Sequence, residues 1–176
     1  YSPDSIANDE KIPIYYSADQ IEYRLKDDDS DLIGQAKIKH DMTHLDAGFI
    51  NIKWDSQLLS AKPKIESDSL AEPLHPIIKE KGEDPMTGDE MIYNLQTKKG
   101  KIIKGNSTLD DGFYTGQQIR NETEKVFYIE NSRYTTCDLD TAHFHFESTK
   151  MKIIQDNMVI APSNYSTLRS NSSPWY

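Results

Sequence analysis

The sequence predicts an all-β protein made of short, bent strands stacked on one another, and three observations carry that expectation. Isoleucine dominates the apolar residues with 19 copies, tyrosine adds 10, and alanine and leucine together, at 8 and 11, only equal the isoleucines. β-Branched and aromatic side chains fit a pleated, half-buried surface, whereas alanine and leucine are the helix builders. Alternation with a period of two recurs: Ile50, Ile52 and Trp54; Tyr114 and Gly116; Phe127 and Ile129 against Val126 and Tyr128; Phe144 and Phe146. Helical periodicity is hard to find anywhere. The third observation is an internal repeat.

The repeat begins with an apolar residue, has a small residue two positions later, and Ile or Met three positions after that. A second apolar residue usually follows at the next alternate position. Its copies are Tyr16, Ala18, Ile21, Tyr23; then Leu45, Ala47, Ile50, Ile52; then Met86, Gly88, Met91, Tyr93. The fourth is Tyr114, Gly116, Ile119, ending on Asn121, and the fifth is Phe146, Ser148, Met151, Ile153. Within each copy the apolar side changes parity after the small residue. A side-chain period of two allows that only through a bulge, a bend or a sheet corner. Each copy should therefore be one bent strand. A short return strand should follow each: Ile33–Ile38, Leu58–Ala61, Lys101–Ile103, Val126–Ile129 and Met158–Ala161. Turn residues separate them, at Asp27–Asp31, Asp55-Ser56, Lys98–Gly100, Asp110–Gly112, Glu122–Glu124 and Asp156-Asn157. Units of this kind cannot bury an apolar face singly, so stacking should give a β-solenoid or a folded-over sheet.

The repeat region runs over 14–162. A polar tail, 1–13, precedes it and a Ser/Asn-rich stretch, 163–176, reads as a linker. The widest gap between copies holds a surface insertion at 62–84, containing Pro63, Pro73 and Pro76 and one short strand near Ile77-Ile78.

Composition narrows the function. The 176 residues include 20 basic and 29 acidic side chains, a net charge of −9, which argues against binding a nucleic-acid backbone. The longest apolar run, Val126–Ile129, falls far short of the ~18 residues of a membrane helix. One cysteine, Cys137, rules out an internal disulfide framework. No nucleophile elbow, phosphate loop, dinucleotide fingerprint or zinc-protease motif occurs, so nothing points to an enzyme. His143, His145 and Glu147 share one side of a strand but lack further ligands at a fitting spacing, and are expected as a solvated face opposite Phe144 and Phe146. The Asp27–Asp31 run lacks the glycine and terminal glutamate of a calcium loop and reads as a charged hairpin tip. No metal or cofactor is expected.

Two stretches carry a resemblance. Gly88–Ile103, a strand, a basic turn and a glycine-led return, resembles the OstA-like family of lipopolysaccharide transport proteins. Val126–Leu139 with His143-Phe144-His145-Phe146, and above all Tyr134-Thr135-Thr136-Cys137, is similar to the periplasmic domain of the LptD family of the Bacteroidetes and Chlorobi type. The resemblance implies a β-jellyroll folded over like a taco, with an apolar groove along its length. It implies a non-catalytic role: lipid A acyl chains held in the groove and lipopolysaccharide passed through the periplasm towards an outer-membrane β-barrel. Implied partners are lipopolysaccharide, other β-jellyrolls joined by edge-strand pairing, and the barrel with its lipoprotein plug. Cys137 would then be a free thiol or half of an intermolecular disulfide. Whether the chain is a piece of a barrel-bearing protein or a stand-alone bridge stays open.

On that reading the Ile/Met side of the repeat lines the groove: Ile21, Tyr23, Ile50, Ile52, Met91, Tyr93, Ile119, Met151 and Ile153. The rivals are a structural β-solenoid scaffold with a filled interior and a carbohydrate-binding module. A continuous apolar cavity would separate transport from scaffold, and a flat row of exposed aromatic rings would favour sugar.

Overall fold

The computed structural model describes residues 12–64, 73–109, 112–123, 125–139, 142–155, 157–162 and 166–170. Among them fourteen strands form one antiparallel sheet. They are β1 (Ile14–Ser17), β2 (Gln20–Arg24), β3 (Asp29–His40), β4 (Thr43–Lys53), β5 (Leu58–Lys62), β6 (Ile77–Glu80) and β7 (Met86–Thr87). The rest are β8 (Glu90–Asn94), β9 (Gly100–Leu109), β10 (Gly112–Thr123), β11 (Val126–Thr135), β12 (Phe144–Ile154), β13 (Met158–Ile160) and β14 (Ser166–Ser170).

The sheet folds over on itself, so its pairing separates into two half-sheets that share six long strands. The first half-sheet runs β1-β3-β4-β6-β7-β9-β10-β11-β12-β14, using the parts of the shared strands near His40, Thr43, Leu109 and Phe144. The second runs β2-β3-β4-β5-β8-β9-β10-β11-β12-β13, using their other ends. The result is the folded-over β-jellyroll, with stacked bent strands and a single core between its halves.

Every repeat copy lies across the fold line. In β4, Leu45 and Ala47 point inward and, past the bend, Ile50 and Ile52 do. In β10 the inward set changes from Tyr114 and Gly116 to Ile119; in β12 it changes from Ser148 to Met151 and Ile153. Copies one and three break there altogether, into β1 and β2 and into β7 and β8. The return strands differ from expectation. Three are long, β3, β9 and β11, because they cross the same fold line and must bend too. Their bends use left-handed backbone: Gly34 and Gln35 in β3 (φ 76° and 42°), Lys104 in β9 (φ 48°) and Asn131 in β11 (φ 46°). A side chain in that region costs conformational energy, which the surrounding ladder must hold in place.

The insertion has a simple place in this scheme. β5 pairs with Phe49–Lys53 and β6 with Thr43–Asp46, so β6 resumes on β4 where β5 leaves it. Between them 63–64 and 73–76 are outside any strand, and 65–72 lie outside the described residues. Of the expected 1–13 tail only Ile12 and Pro13 are described, and the expected linker contributes β14 to the first half-sheet.

Small residues in the repeat are explained by what folds over them. A Cβ on Gly88 would collide with Cγ2 of Ile102, and one on Gly105 would lie 2.7 Å from Cδ1 of Ile119. On Gly116 it would collide with Cγ2 of Ile129 and come within 3.3 Å of the Glu130 carbonyl oxygen. The branched methyl of Ile129 is fixed close to its own backbone and the residue is 1% exposed, so it has nowhere to move. Gly116→Ala should therefore destabilise the fold by about 1–3 kcal/mol through overpacking, read as a lower midpoint in urea denaturation. An unchanged midpoint would show that the close approach at the fold line is not needed.

Candidate functional site

The candidate site is the space between the half-sheets. Seven of the nine expected groove residues stand on its inner wall: Ile50, Ile52, Met91, Tyr93, Ile119, Met151 and Ile153 are each at most 5% exposed. Ile21 and Tyr23 are not enclosed. They lie on β2, the end strand of the second half-sheet, and are 49% and 52% exposed because, among the described residues, no strand stacks beyond them. The wall also takes Leu59, Ile102, Phe127 and Ile129 from the return strands. The repeat pattern did not include those positions; the alternation of Phe127 and Ile129 was the signal that could have added them.

The interior is apolar and densely filled rather than an open trough. Isoleucines on one half-sheet fill the room left by glycines on the other, and a cavity of about 70 Å³ remains among the described residues. Its walls are Ile78, Met86, Met91, Ile102, Ile119 and Phe127. Polar groups gather only where the half-sheets come closest to solvent. The buried Tyr93 hydroxyl donates to Glu80 Oε1 at 3.4 Å, and burial pushes that phenol up from its ordinary value, with Glu80 adding to the rise. Lys98 Nζ lies 3.8 Å from Asp41, from one half-sheet's turns to the other's.

The end strands of the stack carry exposed apolar side chains. Tyr16, Ile21 and Tyr23 are exposed on β1 and β2, and Met158, Val159 and Ile160 on β13. Tyr16 packs against Trp54 at 5.7 Å between ring centroids, and the Tyr23 hydroxyl donates to Asp28. These rings do not make a flat platform of the kind a sugar would need.

Other expected features sit differently. The Asp27–Asp31 run is only partly a hairpin tip, since Asp29 and Asp31 belong to β3 and share Arg24 of β2. Arg24 Nε is 2.7 Å from Asp29, Arg24 Nη1 is 2.5 Å from Asp31, and Asn51 Nδ2 donates to Asp31 at 2.8 Å. Of the expected solvated face, His143 is exposed but His145 is 6% exposed and meets Glu147 at 3.1 Å; of the opposite pair, Phe146 packs against the core but Phe144 is 43% exposed. Edge pairing with β14 accompanies the burial of His145. Cys137 is a half-buried free thiol, its Sγ 3.7 Å from His143 Nδ1. Among the described residues no three His, Cys, Asp or Glu side chains converge as metal ligands.

No family model matches the chain, and no curated protein does. Among solved structures it is similar to LptH, the LptA-homologous periplasmic component of the conserved lipopolysaccharide transport device from Pseudomonas aeruginosa. Identity is 14%, over 93% of this chain and 99% of that one, with a TM-score of 0.43. A likeness of that degree assigns no residue and no function.

The Arg24 cluster gives a pH prediction. Arg24's hydrogen bonds pull both carboxyl groups below their ordinary 3.8, burial opposes this in part, and Asn51 adds a smaller lowering. A depressed folded-state value stabilises the fold above the unfolded value and is lost as pH falls through the folded one. The difference in urea midpoint between wild type and Arg24→Met should be full near pH 6 and shrink below the ordinary carboxylate value. A difference that stays constant to acid pH would dissociate these ion pairs from stability.

Proposed function

We propose that this chain is a periplasmic lipopolysaccharide-binding and transfer domain, holding lipid A acyl chains between its half-sheets and passing them towards an outer-membrane β-barrel. The observation that supports it best is a single sheet folded over an apolar interior, with exposed apolar side chains on its end strands. Acyl chains gain about 0.8 kcal/mol per buried methylene, so an apolar interior needs no charged ligand contact to bind them. With a net charge of −9 the acyl chains carry the affinity, and the phosphorylated sugar stays outside. Movement along the interior requires no reaction; energy would come from elsewhere in the assembly. Entry requires the half-sheets to part, since isoleucines seated on glycines fill most of the space between them. Cys137 is proposed as the thiol available for a link to a partner.

Open edges at β1/β2 and at β13/β14 would pair with further β-jellyrolls through backbone hydrogen bonds. Met158→Lys with Ile160→Lys, on the exposed face of β13, should weaken end-to-end association at least severalfold in sedimentation velocity. A concentration-independent monomer for wild type would remove the edge-pairing reading.

The filled interior favours one rival, a structural scaffold that binds no lipid. Native mass spectrometry with lipopolysaccharide, and separately with a phospholipid, decides between them. Stoichiometric lipopolysaccharide adducts are expected for wild type. They should be lost in Ile52→Glu, which puts an unpaired charge in the inner wall, and reduced in Ile21→Asp at the exposed end, a change the fold tolerates. Circular dichroism checks folding of both. No adduct with either lipid on folded wild type would leave the scaffold.

A further inference from the structure

The interior is roofed at one place by the residues that end the insertion. β6 stops at Glu80 in the first half-sheet, and the turn Lys81–Pro85 leads back into β7. The five turn residues are all exposed, and at Gly82 (φ 90°) a side chain would meet nothing within 4 Å. From that turn Glu83 reaches over the mouth between the half-sheets to Gln155, at the far end of β12, whose Nε2 donates to Glu83 Oε2 at 2.5 Å. Glu83 and Asp84, with Glu80, Asn121 and Gln155, form the polar rim of the 70 Å³ cavity; Met86, Met91, Ile102, Ile119 and Phe127 form its apolar floor.

The roof is weakly tied. β7 is two residues long and has two paired positions with β6 and two with β9. Here the first half-sheet is at its thinnest, while the second is continuous: β5 has four paired positions with β8, and β8 has four with β9. Besides β6 itself, the ties include the Lys81 amide donating to the Met42 carbonyl and the Glu83 amide donating to the Glu80 carbonyl, each at 3.1 Å, the Tyr93–Glu80 contact and the Glu83–Gln155 bond. Two of these are single hydrogen bonds between side chains, one of them exposed, and such bonds contribute little net stability.

We propose that Lys81–Pro85 is a lid over an entry point for one unbranched alkyl chain, whose end the cavity beneath receives. The proposal rests on the lipid-carrying reading and names where the chain enters. Methionines on the floor adapt to a sliding chain. The lid's own carboxylates, Glu83 and Asp84, repel an anionic head, so the tail enters first and the head remains at the rim. Lifting the lid widens the cavity without breaking a strand of the second half-sheet.

The test uses the whole chain with Cys137→Ser, Glu83→Cys and Gln155→Cys, joined by a short bismaleimide whose spacer contains a reducible disulfide. The probe is N-dodecyl dansylamide, a neutral alkyl fluorophore. Saturable emission gain is expected before cross-linking, uptake at least tenfold slower after it, and recovery when the spacer is reduced. Gln155→Ala, without a linker, should take up the probe severalfold faster than wild type. Equal uptake by linked and unlinked protein, with no acceleration in Gln155→Ala, would overturn the lid while leaving lipid binding standing. No saturable binding by wild type would overturn both.

Discussion

The constraint on which the rest of this structure depends is the reversal of face at the fold line. A sheet with one apolar side can cover itself only by bending, and each strand that crosses the bend must change which residues point inward. Long strands achieve this with two adjacent outward residues between inward ones, as at Gln117 and Gln118 in β10 or Thr149 and Lys150 in β12. Return strands use left-handed backbone at Gln35, Lys104 and Asn131. Bends inside continuous ladders shape the molecule: the β9-β10, β10-β11 and β11-β12 registers are unchanged across the fold line, and only β3 against β4 shifts there, between Ile33 and Ala36.

That reversal sets the chemistry of the interior. Once the halves face each other, the small residues of the third and fourth copies lie under an isoleucine from a neighbouring strand, which is why Gly88 and Gly116 carry no side chain. Isoleucine seated on glycine packs densely and leaves a small cavity. The same packing that stabilises the closed jellyroll therefore opposes a permanently open trough. A carrier built this way must bind by exchanging its own side-chain contacts for acyl contacts, which favours flexible Met91 and Met151 among the stiffer isoleucines.

Much of this was legible in the residues. Parity gave the bent strand in copies two, four and five, with the inward set Ile50, Ile52, Ile119, Met151 and Ile153, because alternation reports burial directly, whereas copies one and three break at the bend into separate strands. Return strands were read too short. Lys104 and Asn131 offer no sign, in one sequence, of the left-handed backbone they adopt, since neither is glycine. His145 was misplaced because alternation identifies two faces without saying which is covered, and the covering depends on pairing remote in sequence. Ile21 and Tyr23 fit the pattern but stand at an end of the stack, a position that a repeat cannot distinguish from its middle.

The insertion shows why the rest was not legible. Its charge and prolines mark it as a departure from the repeat, and 63–64 and 73–76, between β5 and β6, are outside any strand. Yet its last residues return as β6 and extend over the interior through Glu83, a contact spanning 72 positions of sequence. A polar residue in an irregular segment carries no period from which a partner so remote could be inferred. The periodic residues build a densely filled container, and the one aperiodic segment supplies the contacts across its mouth; any chain that opens there must do so at the segment least tied to the ladder.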